Sequence, residues 1–199
     1  MPKATHQSPF YAYLSRLRWI KRWGLMRNAI EENVATHSWE VATLAHALAL
    51  IRNRYFDGEV DANAVATAAL YHDAAEVITG DMPTPVKYHS SVMRQAFADI
   101  EGKAQAELLA LLPEPLRELM AEQIQESRWP AEVKLLVKAA DRLSAYLKCE
   151  AELRAGNQEF AQAAREIRRR LDVDPLPEVQ FFLEHFAPAY GQSLDNLLG

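Results

Sequence analysis

Cysteine is almost absent. Cys149 is the single one in 199 residues, which rules out a disulfide within the chain and points to a reducing compartment. Glycine is scarce as well, with seven, and strict alternation of apolar and polar residues is hard to find, which argues against a β protein. No apolar run approaches the roughly 20 residues that a spanning helix needs, and the opening residues lack the basic, apolar, small-residue order of a secretion signal. A cytoplasmic protein with no membrane partner is expected. An excess of basic charge is also missing: the formal net charge is −5. Binding to a nucleic-acid backbone rests on many Lys and Arg contacts that release counterions, so nucleic acid is not an expected partner. A small anionic substrate stays compatible, because a metal and a few cations can reverse the field inside one cleft.

What is present is an ordinary globular composition, 49% hydrophobic and 25% charged, long enough to bury a core. A single domain over 1–199 is expected, with disorder confined to the ends. Apolar residues recur three and four apart nearly throughout, which makes the fold class all-α, a compact helical bundle. Helices are expected over about 9–23, 34–54, 62–77, 92–112, 114–126, 131–154, 158–171 and 178–198, with Asn33 capping the second. His37 then lies in the first turn of that helix, and His72 and Asp73 lie on the third. The segment from Thr79 to Pro85 holds Gly80, Pro83 and Pro85 and is read as a loop.

Three places carry polar groups that a plain core does not need. Asp141 interrupts an apolar helix face, and a buried carboxylate is costly unless it is paired or bound to a cation. His72 and Asp73 are consecutive, about 100° apart on a helix, and can converge on one point between them. Glu76 follows at a spacing that reaches the same side. On the residues alone, bland readings stay open: an Arg partner for Asp141 and a structural histidine at position 72. Arg22 reads equally as part of a solvated basic strip with Arg16, Arg18 and Lys21. Trp23 reads as a core anchor, and His46 as a core histidine, while His6, His89 and His185 have no companions.

Taken together, His37, then His72-Asp73, then the distant Asp141 resemble the signature of the HD-domain phosphohydrolases. Within that superfamily the sequence is similar to the bacterial HD-domain 5'-deoxynucleotidase family, through Arg22-Trp23, Leu25-Met26-Arg27-Asn28, Glu32-Asn33-Val34, His37-Ser38, Tyr71-His72-Asp73, Gly80-Asp81, Pro83-Thr84-Pro85-Val86-Lys87-Tyr88 and Tyr146-Leu147-Lys148-Cys149. Gly24, Thr36 and Met82 depart from the pattern, as do the first few and the last thirty residues, and none of these departures falls on a proposed metal ligand.

The resemblance implies a single HD domain whose metal-site core covers about 30–150, with the C-terminal helices packed on it. It implies one divalent cation on His37, His72, Asp73 and Asp141. Arg22, Trp23, Asp81, Met82, Pro83 and Thr84 would join His37, Asp73 and Asp141 in contacting the nucleotide. Two imidazoles and two carboxylates suit Mn²⁺ or Co²⁺. The implied reaction is hydrolysis of 2'-deoxyribonucleoside 5'-monophosphates by direct attack of a metal-activated water. Arg22 would grip the phosphate, and Glu76 or Asp81 would handle protons, with Glu76 favoured as the base. Trp23 would crowd the 2'-position, and the family's habit makes a homodimer the expected assembly. Two alternatives remain: another HD phosphohydrolase, acting on nucleoside triphosphates or cyclic nucleotides, and a metal-binding regulatory module without catalysis.

Overall fold

Proline and glycine set most of the breaks in this chain, and helix fills the intervals. A computed structural model describes residues 7–198. The expected disorder at the ends, and His6, lie outside the described residues. In chain order the helices are α1 (Phe10–Leu14), α2 (Val34–Tyr55), α3 (Ala62–Tyr71), α4 (Glu76–Thr79), α5 (Thr84–Lys87) and α6 (Ser91–Ala110), followed by α7 (Glu114–Ile124), α8 (Ala131–Arg154), α9 (Ala161–Asp172), α10 (Pro177–His185) and α11 (Leu194–Leu198). Among the described residues there is no strand, and one antiparallel bridge pairs Lys21 with Asn33. No helix of the described residues is long and apolar enough to cross a membrane.

The caps explain several starts. Asn33 Oδ1 accepts from the Thr36 amide at 3.0 Å, Asp61 Oδ1 from the amides of Asn63 and Ala64, and Ser90 Oγ from the Met93 amide; each satisfies an orphan donor of a first turn. Where the expected helices fail, the hydrogen bonding tightens. The first is helical only to Leu14, continues as a 3₁₀ turn over Ser15–Trp19, and ends in extended backbone at Ile20. The third stops at Tyr71, so His72 and Asp73 do not sit on it. The chain there turns through Ala74 N–H to Tyr71 C=O and Glu76 N–H to Asp73 C=O, both three residues apart, which is 3₁₀ bonding rather than α. The last expected helix, over 178–198, breaks after His185 into a 3₁₀ turn at Ala187–Gly191, which contains Pro188 and ends at Gly191.

The chain divides into two compact units that are interleaved in sequence. One comprises the residues up to Leu25, Glu32–Ser38 and Tyr71–Trp129; the other comprises Met26–Glu31, Trp39–Leu70 and the residues from Pro130 onward. In the first unit α6 packs on α4, α5 and α7. Phe10, Ala74, Leu108, Leu109, Leu112, Ala121 and Ile124 form its core, so the turn that follows Tyr71 is anchored through Ala74.

In the second unit α8 packs on α9, and Leu136, Ala140, Leu143, Cys149, Phe160 and Leu171 are fully buried. Its least ordinary feature is polar. Glu152 is fully buried and receives the Lys148 ammonium, the Asn157 amide at 2.8 Å, and the backbone amides of Ala29 and Ile30 at 2.9 and 3.0 Å. Lys148 also donates to the Ile30 carbonyl. One carboxylate therefore fixes the irregular segment Met26–Glu31 against α8. Burial pushes the Glu152 carboxyl up, but the hydrogen bonds from Lys148, Asn157, Ile30 and Ala29 outweigh it and bring it down to about 2. A carboxyl depressed on folding stabilises fully above its ordinary pKa of 4.5 and loses that contribution as pH falls towards 2. The thermal midpoint is expected to fall across this window, and Glu152→Gln to flatten the fall. Glu152→Ala strands Lys148 and is expected to cost about 3 kcal/mol or more at neutral pH, read by denaturant titration.

Candidate metal centre

The first unit gathers six of the residues singled out from the sequence. His37 reaches it from the first turn of α2, His72 and Asp73 from the tight turn after α3, and Glu76 from the start of α4. Arg22 comes from the segment before α2. Asp81 follows Gly80, whose φ of 71° and ψ of 167° lie where a side chain is not tolerated, so glycine lets the chain leave α4 directly towards Asp81.

Asp73 Oδ2 is the common point. His72 Nε2 lies 3.1 Å from it, His37 Nε2 3.5 Å and Arg22 Nη1 3.5 Å. The two imidazole rings are 5.3 Å apart, with a nitrogen of each within 4.8 Å of the other. His37 is buried and His72 nearly so. Two imidazoles and a carboxylate converging in a shielded place are a donor set that fits a divalent transition ion.

The charges of the site act on one another at short range. Burial pushes the Asp73 carboxyl up, yet His72, through its charge and a hydrogen bond, together with His37 and Arg22, holds it well below the usual carboxylate range. Glu76 goes the other way: burial, then the negative charges of Asp73 and Asp81, push it up to about 9, against the opposing pull of Arg22 and Lys87. Its Oε2 is buried with no hydrogen-bond partner among the described residues. Burial likewise raises Asp81, moderated by Arg22, which lies 3.6 Å away, and by the Trp23 backbone amide. Two neighbouring carboxyls thus have environments that drive their pKa values apart, a pattern of proton-transfer sites.

Met82, Pro83 and Thr84 follow Asp81, with Met82 and Pro83 half-buried and Thr84 exposed at the start of α5. Trp23 is half-buried beside Arg22. Asp141 lies midway along α8, in the other unit, and is half-buried. His46, read as a core histidine, is half-buried, and Cys149 is buried. Sequence reasoning gave no role to Glu32, which lies between Arg22 and Trp23 and accepts from both. Its distance of ten residues from Arg22 follows no helical or strand period, and the one signal for it was Glu32-Asn33-Val34 among the segments that carry the family resemblance.

A family model described as 5'-deoxynucleotidase YfbR-like matches residues 9–190. This chain belongs to the YfbR-like family. It is 50% identical to the 5'-deoxynucleotidase YfbR of Shigella boydii over 191 residues, 96% of each chain, and 49% identical to a 5'-deoxynucleotidase of Enterobacter sp. strain 638 with the same coverage. Among solved structures, an HD-domain phosphohydrolase from Listeria innocua superposes with a TM-score of 0.80 at 22% identity, covering 91% of this chain and 87% of that one. A cyanophage S-2L HD phosphohydrolase, bound to dA and one catalytic Zn²⁺ ion, gives a TM-score of 0.60 at 24% identity, covering 89% of this chain and 95% of that one. The all-α, HD-domain fold of this YfbR-like chain agrees with the expectation from sequence.

Proposed function

We propose that this chain is a metal-dependent 5'-deoxynucleotidase that hydrolyses 2'-deoxyribonucleoside 5'-monophosphates to deoxyribonucleosides and phosphate. The observation that carries the reading is the convergence of His37, His72 and Arg22 on one oxygen of Asp73, in a chain of the YfbR-like family. His37, His72 and Asp73 would hold one divalent cation, Co²⁺ or Mn²⁺ by the character of the donors, and the signature in the sequence makes Asp141 the fourth ligand. Such a cation, when bound, supplies a Lewis acid for a phosphate oxygen and lowers the pKa of a water.

The remaining work belongs to side chains. Arg22 bonds Glu32 through Nε and directs Nη1 towards Asp73 and Asp81, which sets a planar, permanently charged group beside the proposed ligands as a clamp for the phosphate. Water forms the new bond to phosphorus as the bond to the 5'-oxygen breaks, and the departing oxygen needs a proton. Glu76, whose carboxyl burial and its acidic neighbours push up, gives that proton or, once charged, takes one from the attacking water; Asp81 is the alternative. Trp23 bounds the sugar and disfavours a 2'-hydroxyl, and Met82, Pro83 and Thr84 line the nucleotide beyond Asp81.

The same proposal includes a cytoplasmic homodimer. Tyr55, Phe56, Phe186 and Tyr190 are exposed and grouped around Phe181 and Phe182, which supports an apolar face of the kind that a second subunit covers. The interleaving of the two units supports reading 1–199 as one domain.

The test is to strip the protein with a chelator, restore Mn²⁺ or Co²⁺ separately, and measure phosphate release from paired deoxy and ribo nucleoside 5'-monophosphates, with triphosphates alongside. Metal-restored release from deoxy monophosphates alone is expected. Activity on ribo substrates would remove the role given to Trp23, activity on triphosphates would move the chain to another HD reaction, and no release would leave a regulatory module.

A further inference from the structure

We infer that Glu32 is the positioning residue that locks the phosphate clamp and the sugar wall into one rigid piece, and so sets the sugar specificity of the site. The inference rests on the deoxynucleotidase reading. Arg22 Nε and Trp23 Nε1 both donate to the same oxygen, Glu32 Oε2, at 3.0 and 2.8 Å. The Glu32 side chain is 10% exposed and that of Arg22 13%, so water competes little for these bonds and an unpaired partner is costly.

The backbone explains why a residue so far along the chain arrives there. Lys21 and Asn33 form an antiparallel bridge. Val34 N–H donates to the Ile20 carbonyl at 3.0 Å and Arg22 N–H to the Glu32 carbonyl at 3.1 Å. This register places Glu32 opposite Arg22. Trp23, the next residue, has a φ of 58°, a left-handed conformation that bulky side chains rarely adopt and that persists only where the surroundings over-determine it. Here they do. Asp81 holds the Trp23 backbone amide, and Glu32 holds its indole. Neither the clamp nor the wall can then move alone: a shift of Arg22 towards a phosphate pulls on the oxygen that aims Trp23.

Because both donors meet at a single oxygen, an amide oxygen in that place can serve both, whereas a methyl group serves neither. Glu32→Gln and Glu32→Ala therefore separate the hydrogen bonds from mere bulk and charge. The experiment measures kcat/KM for paired deoxy and ribo nucleoside 5'-monophosphates on the metal-loaded full chain. It also follows the Trp23 indole proton by NMR in the ion-free protein, assigned through Trp23→Phe.

In Glu32→Ala the deoxy-to-ribo ratio is expected to fall about tenfold and KM to rise, with the indole proton losing its protection from exchange. Glu32→Gln is expected to keep the ratio within about threefold of the parent and to keep the indole protected. A ratio unchanged in a folded Glu32→Ala overturns the inference, as does a Glu32→Gln protein that behaves like the alanine variant. A purely structural role would lower kcat/KM for both sugars alike and leave the ratio where it was. A parent enzyme with no sugar preference overturns the deoxynucleotidase reading instead, and the indole proton then still decides whether Glu32 holds Trp23.

Discussion

Asp73→Ala is expected to abolish metal retention and to lower phosphate release by at least about a thousandfold, with no recovery on adding excess Mn²⁺ or Co²⁺. The expectation follows from the position of Oδ2, which faces both imidazoles and Arg22 at once. Removing it takes away one donor and leaves three groups without the charge that balances them. His72→Ala and Asp141→Ala are expected to give the same pairing of lost metal and lost activity. Metal content after desalting, measured beside turnover, checks all three. An Asp141→Ala protein that keeps its metal and works normally would remove Asp141 from the ligand set, and activity retained in Asp73→Ala would sink the metal mechanism as a whole.

Arg22→Ala is expected to cost about a hundredfold to a thousandfold in kcat/KM, and Arg22→Lys to recover little of it. Lysine offers one compact ammonium, whereas the guanidinium here bonds Glu32 through Nε while its Nη1 faces Asp73 and Asp81. The pH profile should move too. Arg22 holds down Glu76 and Asp81 against burial and the negative charge of Asp73, so removing it lets both rise, and the limb of the profile that reports them is expected to shift to higher pH. A lysine variant with near-parent kcat/KM and an unmoved profile would show that Arg22 acts only as a point charge.

The parts of this molecule that obey a period were legible without coordinates. Helix α8 starts after Pro130 and ends before Gly156 as expected, and Asn33 caps α2 so that His37 falls in its first turn. The proposed metal ligands came from a different source: inward polar groups drew notice to His72, Asp73 and Asp141, and the family resemblance made them, with His37, a ligand set. The turn at His72 and Asp73 was not legible. Ala74 and Ala75 are good helix formers, nothing in Tyr71–Glu76 breaks a helix, and the chain turns because Ala74 buries itself in the core of the first unit. Tertiary packing overrode propensity there. The break in the last helix was written in Pro188 and Gly191, but apolar periodicity beyond them concealed it. The pairing of Glu32 with Arg22 and Trp23 was illegible, although Glu32-Asn33-Val34 stood among the matching segments, because it comes from pairing of irregular backbone, for which composition and spacing carry no signal.

The clamp on Met26–Glu31 also has a consequence for synthesis. Ala29 waits for Glu152, which is added 123 residues later, and Lys148 and Asn157 belong to the same late stretch. At roughly 5–20 residues per second a ribosome needs on the order of 6 to 25 seconds to cover that interval. Throughout it, the stretch joining Trp23 to Glu32 has none of these partners. On the nascent chain, then, Arg22 and Trp23 emerge early, but the segment that follows them gains this clamp only once Glu152 has been made. Variants weakened at Glu152 or Lys148 should lengthen the period in which a protease or chaperone can engage the N-terminal part of the chain.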